Sequence, residues 1–338
     1  MKLTKLIVGI TCGVLIPIIL VGCTSKQSTS TGTSGSSEIS KYIKKKTLIG
    51  FSQLGSESGW REAETNSIKD IPNQDSDIIL KFADGQQKQE KQIQDIKAFI
   101  AQKVNVIAID PVIETGWDEI LKEAKDANIP VIIVDRQIQV SDESLYKCFL
   151  GSDFEEEGKK AAKVLIDKFG KDAVINIAEL QGSLKSSAQV GRKKGFDEAI
   201  KDCPNYKIVK SQTGNFERAK GKEVMADFLK SDSNNSINVL WSHNDDMAVG
   251  AIQAIEESGK KPGKDIFILS VDGIKDFFQA MADGKANATV ECNPLLGPQL
   301  LETSKAIIAG KSVDKWVKSK EGIFLQDQAS KELPNRKY

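Results

Sequence analysis

The chain of 338 residues is long enough for two domains, each with its own core. Its 47 Lys and Arg balance its 47 Asp and Glu, so no global basic field argues for nucleic acid, and segments such as LKEAKD and RAKGKEV read as solvated helix faces. One His and no CxxC or Cys/His spacing give no hint of zinc or of another metal.

Met1 to Lys5 carries two lysines, an apolar stretch runs from Leu6 to Val21, and LVGC at 20–23 ends it. This is the pattern of an export signal over 1–22, and LVGC is similar to the bacterial lipobox, whose Cys becomes the acylated first residue of the mature chain. Cys23 is therefore the expected lipid anchor. A transmembrane helix is the competing reading, opposed by Pro17 and by the abrupt polar switch after Cys23. Thr24 to Ser37 is almost all Ser, Thr and Gly, which makes 23–46 a flexible, lipid-anchored tether. Cys12 leaves with the signal, whereas Cys148, Cys203 and Cys292 stay, and an odd number leaves at least one thiol unpaired. Cys148 and Cys292 read as small buried hydrophobes.

From Thr47 onward, β-rich runs (TLIGFS, DIILKFAD, NVIAID, PVIIVD, AVINIAEL, YKIVKSQ, INVLWS, DIFILSVD) alternate with segments of helical period. QKQEKQIQDIKAFIAQKV places Ile93, Ile96 and Phe99 on one face with Ile100 beside them. Thr115 is expected to cap the next helix, with Asp118 three residues on, and Gly259 and Gly310 to end later helices in the left-handed conformation. YKCFLGSDFEEEG reads as a strand running into Gly151 and Asp153, then an acidic helix start, and as the first crossing between two lobes. Repeated strand–helix–strand units over this length predict an α/β protein of two doubly wound parallel-sheet lobes joined by a hinge.

Five of the segments end on residues suited to a small polar ligand: FSQLGSESGWR, IIVDR, RKKGF, WSHND and LSVDG. Parallel sheets bind ligands beyond the carboxyl ends of their strands, so these endings are expected to share one pocket. Carboxylate, guanidinium, amide and indole together suit a neutral polyhydroxylated molecule such as a sugar.

FSQLGSESGWREAE, ADGQQKQE, TGWDEILKEAKDANIPV, ELQG, RKKGF, KGKEVM, HNDDMAVGAIQAI and KPGKDI, in this order, resemble the type I periplasmic sugar-binding proteins of ABC importers, the ribose-binding class. Within that class the sequence is most similar to the galactofuranose binders. The resemblance implies an N-terminal lobe over 47–151 plus 293–320 and a C-terminal lobe over 152–292 plus 321–338. It places Glu57, Ser58, Gly59, Trp60 and Arg61 at the tip of the first β–α turn, with Trp60 offering its face to the C–H side of the ring and Arg61 binding oxygens at its edge. It also implies contacts from Asp135, Arg136, Arg192, Phe216, Asn244 and Asp272, Phe216 stacking from the opposite side. Asp110 stands where ribose binders commonly have Asn, and Cys292, next to Glu291, where they have a hinge Gln, so both depart from the ribose pattern. From the residues alone, Trp60 and Phe216 also suit a packed core, Asp135 with Arg136 also suits a structural ion pair, and His243 suits packing or hydrogen bonding better than catalysis.

The expected function is a monomeric, non-catalytic, extracytoplasmic solute receptor with no cofactor, closing on a monosaccharide and delivering it to an ABC permease. A sensory receptor for a chemotaxis or two-component partner would share the same site. An enzyme is opposed by the lack of G-x-G-x-x-G after the first strand, of a Walker A loop and of G-x-S-x-G. A sugar repressor would carry a helix-turn-helix where this chain has the signal and tether.

Overall fold

The computed structural model describes residues 46–338; the expected leader, Cys23 and nearly all of the expected tether lie outside the described residues. The first sheet contains β1 (Thr47–Gln53), β2 (Ile78–Asp84), β3 (Val106–Ile109), β4 (Val131–Val134), β5 (Cys148–Gly151) and β11 (Trp316–Lys318), in the order β2-β1-β3-β4-β5-β11. The second contains β6 (Ile175–Gln181), β7 (Tyr206–Thr213), β8 (Val239–Ser242), β9 (Phe267–Asp272), β10 (Ala288–Glu291) and β12 (Ile323–Leu325), in the order β7-β6-β8-β9-β10-β12. The pairing of β10 with β12 is antiparallel and the others are parallel. Each sheet thus reverses its strand order beside its own first strand, which opens a crevice at the carboxyl ends. This is the two-lobed type I periplasmic-binding-protein fold.

Burial on both faces explains why the strands read as continuous apolar runs. In the first sheet Val106 and Ala108 face one core with Ile49, Ile132 and Val134, while Ile107 and Ile109 face another with Val131 and Ile133. The second sheet is packed into one large core in which Trp241 stacks on Phe196 at 4.9 Å between centroids.

The connecting helices are α1 (Gly59–Lys69), α2 (Ile71–Gln74), α3 (Gln89–Ala101), α4 (Asp118–Asp126), α5 (Phe154–Phe169), α6 (Ser187–Ala199), α7 (Arg218–Ser231), α8 (Asp245–Glu257), α9 (Lys275–Ala282), α10 (Gly297–Ile308) and α11 (Gln326–Glu332). Asp153 caps α5 and three glutamates follow in its first turn, which suits the helix dipole. Gly259 and Gly310 adopt φ of 83° and 71° after α8 and α10. Thr115 does not cap α4. Gly116 turns at φ 86°, the helix starts two residues later behind buried Trp117, and the Thr115 carbonyl instead accepts from Gln89 Nε2 at 2.6 Å. On α3, Ile96 and Phe99 are core residues as expected, but Gln92 and Asp95 are buried too. Gln92 Nε2 donates to the Asp110 carbonyl at 2.6 Å, so this helix braces the end of β3.

The chain crosses between sheets at 151–153, 291–293 and 318–323. Glu321 joins the three, accepting from Ser152 Oγ and, at 3.1 Å, from the Asn293 N–H. Burial, then the nearby Glu157 carboxylate, push Glu321 up to about 8. Cys292 lies in the same cluster with Sγ 3.4 Å from Ser152 Oγ, and Cys148, Cys203 and Cys292 are all buried free thiols.

Candidate functional site

Four of the five segments expected to end strands do so, RKKGF instead lies within α6, and all five meet in one cleft. Glu57, Ser58, Trp60, Arg61, Asp135 and Arg136 from the first lobe face Phe154, Ala188, Arg192, Phe216, Asn244 and Asp272 from the second, with Cys292 at the hinge. The space between them is about 290 Å³, part of it open to solvent. The tip of the first turn is shaped by Ser58, whose hydroxyl accepts from the Arg61 N–H at 3.1 Å and so starts α1 there. That start turns the Trp60 side chain toward the second-lobe core and the Arg61 guanidinium toward the acids of its own lobe.

Arg61 is the hub of the first wall. Its Nε donates to Glu57 at 3.0 Å, Nη2 to Asp135 at 2.8 Å, and Nη1 to Asp110 at 2.6 Å and to Glu64. Glu64, Asp110 and Asp135 each offer an oxygen within 4.8 Å of the others, an arrangement a cation could occupy, and the guanidinium takes that role. Burial alone would lower the Arg61 pKa, but these four carboxylates outweigh it and hold the group well above its usual value. Burial likewise opposes ionisation of Glu57, yet Arg61 and Arg136 keep that carboxyl below its ordinary value. Behind the hub, burial raises Glu64 to about 7 and Asp110 well above the carboxylate range, with Arg61 only partly offsetting it. Asp135 and Arg136 are therefore not partners of one another in the way their adjacency suggests: Asp135 bonds Arg61, and Arg136 Nη2 lies 3.4 Å from Glu57.

The second wall has its own guanidinium. Arg192 on α6 donates through Nε to Glu157 at 2.7 Å and through Nη1 to the His243 carbonyl at 2.6 Å, and its Nη2 lies 3.6 Å from Asp272. Burial raises Asp272 well above its usual range, with Arg192 pulling the other way. Asn244 caps α8, accepting from the Met247 N–H at 3.0 Å while its Nδ2 donates to the Phe216 carbonyl at 3.1 Å. The Phe216 ring lies between Arg136 and Arg192, at 5.4 and 5.8 Å from their guanidinium carbons. Gly182 permits that position, since a Cβ there would sit 1.9 Å from Phe216 Cζ. Asp135, Phe216 and Asp272 hold φ of 56°, 66° and 127°, conformations that non-glycine residues seldom adopt and that concentrate at ligand sites.

Trp60 serves two surroundings at once: it lines the cleft, packs against the second-lobe core, and donates from Nε1 to the Cys292 carbonyl at 2.6 Å. Gly59 and Asp110 do not line the cleft. Gly59 offers its N–H to Asp246, and Asp110 is fully buried beneath Arg61. Phe154 and Ala188 line it without having been singled out in the sequence. Phe154 carries a usable signal, an aromatic directly after the strand end GSD, whereas Ala188 carries none. His243 is buried with Nε2 3.2 Å from Glu179, a hydrogen-bonding place in the core.

A family model for the periplasmic binding protein domain matches residues 49–312. The galactofuranose-binding protein YtfQ of Escherichia coli (strain K12) is 49% identical over 86% of this chain and 91% of its own length. Two solved structures are similar. The binding component of the arabinose ABC transporter from Shewanella sp. ANA-3, bound to α- and β-L-arabinofuranose, is 51% identical with a TM-score of 0.83, over 86% of this chain and 96% of that one. A Mycobacterium smegmatis protein in complex with β-D-fucofuranose is 48% identical with a TM-score of 0.83, over 86% of this chain and 95% of that one. The relatives are sugar-binding transport proteins, not enzymes. The chain belongs to the periplasmic binding protein family.

Proposed function

We propose that this protein is the extracytoplasmic substrate-binding lipoprotein of an ABC sugar importer, binding galactofuranose or a related furanose between its lobes and delivering it to the membrane permease. The observation that carries this reading is the composition of the cleft. Its three guanidinium groups are already matched by carboxylates, so it suits a neutral polyol better than an anion. Glu57 Oε2 and Arg136 Nε have no hydrogen-bond partner among the described residues and supply an acceptor and a donor for ring hydroxyls. Asp135 and Asp272 accept from hydroxyls, Arg61, Arg192 and Asn244 donate, Ser58 lines the rim, and Trp60 and Phe216 cover the apolar faces of the ring. Asp110 acts from behind, through Arg61. The lobes are read as 47–151 plus 293–320 and 152–292 plus 321–338, which agrees with the strands each sheet contains. The ligands printed for the three relatives described above, galactofuranose, arabinofuranose and fucofuranose, favour that ring form.

Calorimetry of the mature protein against galactofuranose, arabinofuranose, ribose, galactopyranose and galacturonate tests the assignment. Furanoses are expected to bind at about micromolar dissociation constants, which correspond to about 8 kcal/mol and lie within reach of several charge-assisted hydrogen bonds. Ribose and galactopyranose should bind more weakly, and the uronate should give no heat. Tight ribose binding with no response to any other furanose overturns the ligand assignment. Tight uronate binding overturns the argument from charge.

A further inference from the structure

Beyond the cleft lining, an acidic side chain of one lobe bonds the backbone of the other directly. Gly59 is the first residue of α1, and the N–H there is one that a helix leaves without an internal partner. It donates to Asp246 Oδ2, on the first turn of α8 in the other lobe, at 2.8 Å. Asp246 is held in place from its own lobe: Oδ1 accepts from Arg218 Nε at 2.9 Å and Nη2 at 2.8 Å, and Arg218 Nη1 is fixed by Asp276 at 2.8 Å. Its side chain is 5% exposed, and it is not among the residues lining the cleft. The carboxylate therefore meets the positive end of a helix that belongs to the opposite lobe and can do so only when the lobes are together. A second bond across the cleft, from the Gln137 N–H to Ser187 Oγ at 2.8 Å, is neutral and has no such bracing.

We propose that Asp246 is the closure latch, a positioning residue that sets how long a bound sugar is retained without touching it. This rests on the reading of the lobes as closing on a sugar. Because the latch exists only in the closed state, its loss raises the release rate and leaves encounter with the open cleft unchanged.

The test is stopped-flow release of a bound furanose from the wild type, Asp246→Ala, Gly59→Pro, Gly59→Ala and the double variant Gly59→Pro/Asp246→Ala, with ligand-free melting recorded for each. Gly59→Pro deletes the donor at the helical position where proline is best tolerated, and Ser58, extended at ψ 164°, suits the residue before a proline. Gly59→Ala keeps the donor, and its Cβ would lie in ordinary contact 3.4 Å from Asp246 Oδ2. Asp246→Ala and Gly59→Pro are each expected to speed release about 10- to 100-fold, the range for a hydrogen bond to a charged group. The double variant should release no faster than the worse single one, Gly59→Ala should stay near wild type, and Gly59→Pro should leave ligand-free melting unchanged. Wild-type release from Asp246→Ala, or additive effects in the double variant, overturns the latch. If the wild type binds no furanose, the furanose reading fails by itself. The latch is then judged by the same release series with ribose or galactopyranose, whichever binds: faster release from Asp246→Ala and Gly59→Pro upholds it, and wild-type release overturns it.

Discussion

Glu64 shows most clearly how a residue outside the cleft conditions it. Its carboxyl is wedged between Gln53 Nε2 at 3.1 Å and Arg61 Nη1, facing Asp110 and Asp135 on neighbouring strand ends, with Glu57 and Arg136 beyond. One guanidinium cannot neutralise four carboxylates, and burial raises Glu64 to about 7. A carboxyl whose pKa is raised on folding binds its proton more tightly in the native state, so the stability linked to it is fully present below the unfolded pKa of about 4.3 and is lost as pH rises through 7. Asp245, raised to about 7, and Glu321, raised to about 8, add to the same decline. The melting temperature of the ligand-free protein should therefore fall between pH 5 and pH 8. Glu64→Gln, which needs no proton, should melt near wild type at pH 5 and above it at pH 8. Parallel melting curves for the two proteins across that range would remove Glu64 from the account. In the sequence this residue was legible only as a polar position of FSQLGSESGWREAE. Four acids sharing one arginine come from three separate strand ends, and no local pattern announces that.

At the scale of elements, the cleft depends on how closely helices pack behind it. Gly158 on α5 lies against α6, where an added Cβ would meet the Arg192 carbonyl at 2.2 Å, and Gly195 on α6 would meet the Glu155 carbonyl at 2.0 Å. Backbone cannot yield as a flexible side chain does, so alanine at either place must separate the helices. Arg192 rides on α6 and would be drawn away from Asp272. Gly195→Ala is expected to cost about 1–3 kcal/mol of stability, the usual range for overpacking, and also to weaken sugar binding. Thermal unfolding and calorimetry on the same preparation check both, and unchanged affinity would show that α6 can shift without moving its arginine. RKKGF reads in the sequence as a strand ending, but it lies inside α6, and the strand before it ends at Gln181, so Arg192 reaches the cleft from a helix. The helix start at Asp118 was misread because Thr115 satisfies a capping pattern that the Gly116 turn overrides. The three-residue strands β11 and β12 carry too few residues for any alternation to show.

For the whole molecule, the alternation of strands and helices made the paired parallel sheets legible, and the five segments read as one site do line one cleft, four as strand ends and RKKGF from α6. Which lobe supplies each partner of a charge was not legible, since it depends on the crossing between sheets. The anchoring proposal also belongs to this scale. If Cys23 is acylated, Cys23→Ala should leave the protein unprocessed or release it from the membrane, as fractionation and the mature N-terminus would show, and unchanged retention with a different N-terminus would rule the anchor out.

The crossings also impose an order on synthesis. β5 forms its outer pairing with β11, Phe149 opposite Trp316, yet the chain makes β6 to β10 of the other sheet before it reaches β11. Throughout that interval the growing first lobe presents an open strand edge, a template for pairing with another chain. A nascent chain halted after β10 would hold five strands of each sheet and neither completed outer edge. Holding such a chain unfolded until all of it has emerged shortens the exposure of those edges.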